Sequence, residues 1–248
     1  MKKLNKALII SPTGGPMWFD EQYDTHNHWR YTKENREYET WVVNYNGYEI
    51  APGTYDKEIG GFSGLKWDII LDVAKNYDLT AYDYIGCWDD DYATDIQSVN
   101  RCLEIARSMD MKWFQPSMTS WTVYPCLEQN KEWVFSETNF TELGVPFFRQ
   151  DIFYKVMRFM SDYKYAYTRS ADWGQDKVLH YYLRSPAYVI HEVSAKHMRP
   201  DSSTYDKSKA FQDMHYIMNT FMPDYMKQYG IDYVPTDVQQ TLRAWTKQ

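Results

Sequence analysis

Short apolar runs and stretches of helical spacing take turns through roughly the first hundred residues, and that alternation restricts the fold of this chain more than any other feature. Lys6–Ile10 is an apolar run that stops at Ser11-Pro12-Thr13-Gly14-Gly15-Pro16, and Thr40–Tyr45 is a second, closed by Asn46-Gly47. Leu65, Ile69 and Val73 recur at helical spacing and predict a helix over Leu65–Asn76, just after Gly60, Gly61 and Gly64. Tyr82–Trp88 is a near-continuous apolar strand that runs into Asp89-Asp90-Asp91. Thr94 and Gln97 read as a capping box, and Ile96, Val99, Leu103 and Ala106 continue one helix face. This order predicts an α/β, Rossmann-like fold, a mostly parallel sheet flanked by helices.

The pattern loosens further on. Lys112–Gln115 reads as a strand ended by Pro116, and Pro146–Arg149 as another. Asp151 is expected to cap a helix over Ile152–Met160; Trp173–Leu183 reads as a helix and Ala187–Val193 as a strand. After Pro200 the spacing of Phe211, Met214, Ile217, Met218 and Phe221 is helical. The expected organisation is one domain over residues 1–200 with a helical extension, 201–248, packed on it. A hydrophobic share of 44% with 25% charged residues excludes long-range disorder. Aromatic residues reach 18%, enough to fill a core or to line a groove for sugars or bases. Counting 27 basic against 34 acidic residues gives a net charge of −7, a poor footprint for nucleic-acid phosphate. Three scattered cysteines form no disulfide framework or zinc site and read as buried thiols. The run Ala7–Ile10 is too short for a signal peptide or a membrane span, so a cytoplasmic protein without a membrane partner is expected.

Sheets of this kind hold ligands beyond the carboxyl ends of their strands. Three loops meet that condition: Ser11–Pro16, Asn44–Gly47 and Asp89–Asp91. The aspartate triplet is either a solvated acidic loop or a set of hard oxygens for Mg²⁺ or Mn²⁺ bridged to a diphosphate. In Trp173-Gly174-Gln175-Asp176 the carboxylate sits at a helix start, where the dipole favours its ionised form; it is either a helix-start acid or a general base. Gly174 would let a substrate approach the backbone. His191 ends a strand and reads as structural or, beside the aspartates, as a further metal ligand. Lys196, His197 and Arg199 form a basic loop that is either a solvated turn or a cover for a diphosphate. Lys66 opens a helix, exposed or turned to phosphate. No P-loop, GxGxxG, GxSxG or HExxH motif occurs.

At these residues the chain resembles GT-A nucleotide-sugar glycosyltransferases, and within them a family of plant and bacterial GT-A-like proteins. That family has a K-W helix, an aromatic strand ending W-D-E-D, a Q-P segment, a W-G-x-D helix and a V-H strand. Here these read Lys66-Trp67, Trp88-Asp89-Asp90-Asp91, Gln115-Pro116, Trp173-Gly174-Gln175-Asp176 and Val189-Ile190-His191. The chain departs from the pattern at Asp90, where the family has Glu, and at the intervening Ile190. The resemblance implies Mn²⁺- or Mg²⁺-dependent sugar transfer from a nucleoside diphosphate, with Asp89, Asp91 and His191 on the metal and Asp176 as the base of an inverting enzyme. It places Ser11, Thr13, Gly14, Asn44, Tyr45, Lys66, Asp90, Lys196, His197 and Arg199 on the donor, and Trp121, Trp173 and Gly174 on the acceptor. The acceptor is a glycan, a small molecule or hydroxymethylated pyrimidine in DNA; for DNA, Lys155, Arg158, Lys164 and Arg169 would supply the cationic stripe. A non-catalytic nucleotide-sugar-binding protein is the rival reading.

Overall fold

The computed structural model describes residues 6–119, 124–199, 206–234 and 238–247. Its elements in chain order are β1 (Lys6–Thr13), β2 (Tyr38–Asn44), β3 (Lys57–Ile59), α1 (Lys66–Asn76), β4 (Tyr82–Cys87), β5 (Tyr92–Ala93), α2 (Ile96–Ser108) and β6 (Trp113–Met118). There follow β7 (Trp133–Thr138), β8 (Phe147–Arg149), α3 (Gln150–Ala166), α4 (Gln175–Leu183), β9 (Ala187–His197), α5 (Lys207–Tyr216), α6 (Met222–Lys227) and β10 (Thr241–Thr246). The strands form one sheet in the order β10-β7-β9-β6-β8-β4-β1-β2-β3, with β5 paired to β9.

The fold is α/β, and its sheet is mixed rather than mostly parallel. β1 runs parallel to β2 and β4, β2 to β3, and β6 to β9. β8 lies antiparallel to both β4 and β6, and β7 to β9 and β10. The cause is local: residues 113–149 carry three strands with no α-helix between them among the described residues. Parallel neighbours need a long crossover and antiparallel ones do not.

Helices cover both faces, as the alternation predicts. Along β1, Leu8 and Ile10 enter the core shared with Trp67, Ile70, Phe159 and Met160, while Ala7 and Ile9 enter the one shared with Trp29, Leu103 and Phe114. Period-2 alternation on a doubly covered strand gives this division. Trp29, Trp67, Trp88 and Trp113 are all fully buried, so much of the aromatic content is core.

Several boundaries shift for physical reasons. β6 continues through Pro116, which pairs with Ile190 just before a register shift; a proline lacking its N–H is tolerated at such an irregularity. Asp95, not Thr94, caps α2, its Oδ1 accepting the Ser98 N–H at 2.8 Å, while Thr94 Oγ1 donates to the Ser194 carbonyl at 2.9 Å. Asp151 lies inside the first turn of α3 rather than at its cap, accepting from Arg149 Nε at 2.7 Å. α4 starts only at Gln175, after Gly174 at φ 92°.

The expected helical extension is helical only in part. α5 and α6 are joined by a π-helical turn, Ile217–Phe221, but the chain then returns as β10 and pairs with β7. Asp213, 2% exposed, fastens α5 to the segment before α4. Its carboxylate accepts the Ser170 N–H at 2.7 Å, the Ser170 hydroxyl at 2.7 Å, the Ala171 N–H at 2.9 Å and the Tyr167 hydroxyl at 2.9 Å. Asp213→Ala leaves those donors unpaired, and the expected loss of unfolding free energy in urea titration is about 3 kcal/mol.

Candidate active site

Because β2, β1 and β4 are adjacent and parallel, their carboxyl ends open on one side, and the three loops expected to hold a ligand meet there. The N–H groups of Gly14 and Gly15 donate to Asp90 Oδ2 at 2.9 and 3.1 Å. Asn46 Nδ2 donates to the Gly14 carbonyl at 2.8 Å, and a Cβ on Gly14 would run into the Tyr45 ring. A cleft of about 510 Å³ opens beside them, lined in part by Asn44, Tyr45, Glu58 and Phe62.

Each aspartate of the triplet has a different task. Asp90 is buried, and Arg199 Nη2 donates to its Oδ1 at 3.0 Å. With both oxygens engaged by the protein, Asp90 is a brace between loops rather than a donor ligand. Asp89 pairs with Lys66 Nζ at 3.0 Å and leaves more than a third of its side chain open to water. Lys66 also donates to the carbonyls of Leu143 and Gly144, so it draws the segment before β8 to the mouth. Asp91 Oδ2 faces His197 Nε2 at 3.2 Å and Arg199 Nε at 3.6 Å, while its Oδ1 is buried without a partner.

The histidine at the aspartates is His197, not His191. β9 extends four residues past the expected end at Val193, pairs with β5 at Tyr92, and carries His197 to Asp91. His197 stacks on Tyr92 with centroids 4.7 Å apart. Burial lowers its basicity, but Asp91, Glu142 and Asp89 together raise it above the ordinary histidine value. His191 is fixed elsewhere: Nδ1 accepts the Asn130 N–H at 3.1 Å, Nε2 lies 2.9 Å from the Ser136 hydroxyl, and Trp133 packs against the ring. Burial pushes it down to about 4. A groove of about 700 Å³ beside it, at the β7–β10 edge, gathers no comparable set of carboxylates.

Glu142 escapes the sequence reading. One oxygen, Oε2, is buried without a partner. Burial raises its carboxyl to about 7; Asp176 and Asp89 push the same way, against His197 and Lys66. Its position between Thr141 and Leu143, in a run flanked by Phe140 and Val145, was the available signal: an acid in an apolar stretch. Through Glu142, Asp176 belongs electrostatically to the aspartate site. Burial takes Asp176 to about 6, against the pull of Lys177 and of backbone N–H groups at the start of α4. Desolvation therefore outweighs the helix-start effect expected for it.

The remaining expected site residues divide. Tyr45 borders the mouth and Asn44 holds its turn, donating to the Tyr48 carbonyl at 2.8 Å and accepting the Gly47 N–H at 2.9 Å. Ser11 and Thr13 are buried within β1, where Thr13 Oγ1 donates to the Ser11 carbonyl at 3.0 Å. Lys196 is paired with Asp20. Gly174 makes room for the protein itself: a Cβ there would lie 2.7 Å from Ile217 Cγ2 and 2.9 Å from Met214 Cα. Trp173 packs edge-on against Phe211, 5.1 Å away. Trp121 lies outside the described residues. Of the DNA candidates, Lys155 and Arg158 are exposed, but Lys164 and Arg169 are both held by Asp68.

Among the described residues no group of three or more His, Cys, Asp or Glu side chains is gathered to hold a metal ion, and no helix is long and apolar enough to cross a membrane.

No protein-family model matches the sequence, and no curated protein matches it. Among solved structures, protein A197 from STIV is 13% identical over 77% of this chain and 84% of that one, with a TM-score of 0.41. 4-Diphosphocytidyl-2C-methyl-D-erythritol synthase from Anaerococcus prevotii is 10% identical over 85% of this chain and 97% of that one, with a TM-score of 0.40.

The raised carboxylates set a pH dependence. Glu142 and Asp176 bind protons more tightly in the folded chain than in the unfolded one, so their contribution is largest below about pH 4 and is lost as pH rises through about 6 to 7. In EDTA, the melting temperature should fall between pH 5 and pH 8. Glu142→Gln should flatten that fall and melt higher than the unaltered protein at pH 8. Parallel profiles for the two proteins would show that Glu142 is not held among like charges.

Proposed function

We propose that this chain is a GT-A-type glycosyltransferase, moving a sugar from a nucleoside diphosphate to an acceptor hydroxyl with the help of Mn²⁺ or Mg²⁺. The observation that carries the reading is the pairing of Asp89 with Lys66 and of Asp91 with His197 beyond the carboxyl ends of parallel strands, with Glu142 in the field of these groups and of Asp176. Buried carboxylate oxygens without partners, as on Asp91 and Glu142, suit a site completed by a cation.

The residues fit such an ion in one manner. Asp91 and His197 would hold it, and because the protein gathers no third ligand, water and the donor diphosphate would complete the shell, a common arrangement for Mg²⁺. Bound there, the ion offsets charge on the departing diphosphate. Lys66, 3.0 Å from Asp89, adds a fixed positive charge to the same mouth. Asp176 accepts the proton of the acceptor hydroxyl. Its elevation to about 6 keeps it mostly ionised at neutral pH and brings its basicity nearer the working pH than an exposed carboxylate would be.

A glycan or small-molecule hydroxyl is the acceptor we favour. The DNA reading needs a cationic stripe, and two of its four candidates are engaged by Asp68 on a chain of net charge −7.

Two measurements test the assignment. UDP should bind more tightly in Mn²⁺ than in EDTA and lose that gain in Asp91→Ala; equal affinities in the unaltered protein would remove the metal. Asp176→Asn should keep fold and UDP affinity while transfer from a nucleotide-sugar panel falls about a hundredfold to ten-thousandfold. Near-normal transfer would end the assignment of Asp176 as base, and no donor hydrolysis with any sugar nucleotide would favour a non-catalytic binding protein.

A further inference from the structure

Arg30 carries a charge for which the fold has no evident use. It is 1% exposed, and its Nε and Nη1 are buried without a hydrogen-bond partner. The backbone beneath it is held from several sides. Its N–H donates to His28 Nδ1 at 3.2 Å and its carbonyl accepts from Arg36 Nη1 at 3.5 Å. The preceding residue, Trp29, donates from Nε1 to the Tyr92 carbonyl at 2.9 Å, and its own carbonyl accepts the Tyr38 hydroxyl at 2.6 Å. A buried guanidinium with unpartnered N–H groups is a costly arrangement, because those donors have given up their hydrogen bonds to water.

Its surroundings place it at the mouth of the site. Burial lowers its basicity, and the groups acting in the opposite direction are Asp90 and then Tyr48. The adjacent Trp29 packs on Trp88 with ring centroids 5.0 Å apart and donates to the Tyr92 carbonyl, so Arg30 lies beside the residues that flank the aspartate loop; Asp90 belongs to that loop, and Tyr48, 39% exposed, to the loop after β2. Asp90 attracts Arg30 but makes no hydrogen bond with it, because its oxygens are engaged by Gly14, Gly15 and Arg199. Arg30 is thus left with an attraction but no hydrogen bond, and its Nε and Nη1 remain without acceptors. The planar fork of an arginine matches the paired oxygens of a phosphate.

We propose that Arg30 is a phosphate-binding residue whose guanidinium closes on a phosphate of the nucleotide held between the β1, β2 and β4 loops. That the phosphate belongs to a nucleotide rests on the transferase reading; the anion site itself does not.

Calorimetry in EDTA tests it, with UDP, inorganic pyrophosphate and uridine titrated into the unaltered protein, Arg30→Met and Arg30→Lys. UDP and pyrophosphate should bind the unaltered protein and bind Arg30→Met about tenfold to a hundredfold more weakly, while uridine is unaffected. Arg30→Lys, which keeps the charge and loses the fork, should fall between them and covers the case in which the methionine variant does not fold. The ligand-free Arg30→Met protein should melt at the same temperature as the unaltered one or above it, since it no longer buries an unpaired charge. Unchanged affinity for both phosphate probes in a folded variant overturns the proposal, as does a failure of the unaltered protein to bind either. Arg30-dependent pyrophosphate binding without sugar transfer from any donor would keep this site and end the transferase reading. Sugar transfer with a phosphate affinity indifferent to Arg30 would do the reverse.

Discussion

The carboxylate of Asp90 is the tie on which the geometry of the mouth depends. It collects two backbone N–H groups from the loop after β1 and a guanidinium from the residues after β9, so three segments far apart in sequence share one anchor. A buried carboxylate with hydrogen bonds to both oxygens is stable in place; with one donor missing it would be an exposed liability to the fold around it. The neighbouring aspartates are then free of that task. Asp89 and Asp91 are left to Lys66 and His197 because Asp90 has absorbed the structural demand.

Electrostatic strain accumulates just beyond that tie. Glu142 and Asp176 are each desolvated, Asp176 pushes Glu142 further up, and each is harder to ionise than an exposed carboxylate. Packing alone does not require such a placement, since neutral amides of similar shape would fill the space without repulsion. Concentrated unfavourable charge of this kind is what functional sites retain and ordinary cores avoid.

The first half of the fold was legible because its elements obey one period each. β1 and β4 are apolar runs, α1 and α2 have clean helical spacing, and the loops at the ends of β1, β2 and β4 were named from Gly, Asn and Asp alone. Residues 113–149 were not legible in the same way: β7 has an irregular pattern of burial and β8 is three residues long, too short for periodicity to register. The three loops expected at the strand ends do come together, whereas the histidine beside Asp91 is His197 rather than the expected His191. Val193 looked like the end of β9, yet the chain stays extended past a register irregularity, and the four added residues exchange His191 for His197 at the aspartates. Arg30 was invisible because it lies in a loop, where sequence carries no period and only three-dimensional burial reveals that a charge has been enclosed; Glu142, also in a loop, left only the weak signal of an acid in an apolar run.

The span of the His197–Asp91 contact, 106 residues along the chain, has a consequence for biosynthesis. Parallel strands β1, β2 and β4 can associate as soon as the first third of the polypeptide has emerged, but the acidic loop at their ends then faces solvent with neither His197 nor Arg199 to neutralise it. During that interval Lys66 already pairs with Asp89, but Asp90 and Asp91 lack the cationic partners that β9 and the residues after it bring. A ribosome-bound fragment ending before β9 would carry β1, β2 and β4 without the contacts that His197 and Arg199 make to the aspartates.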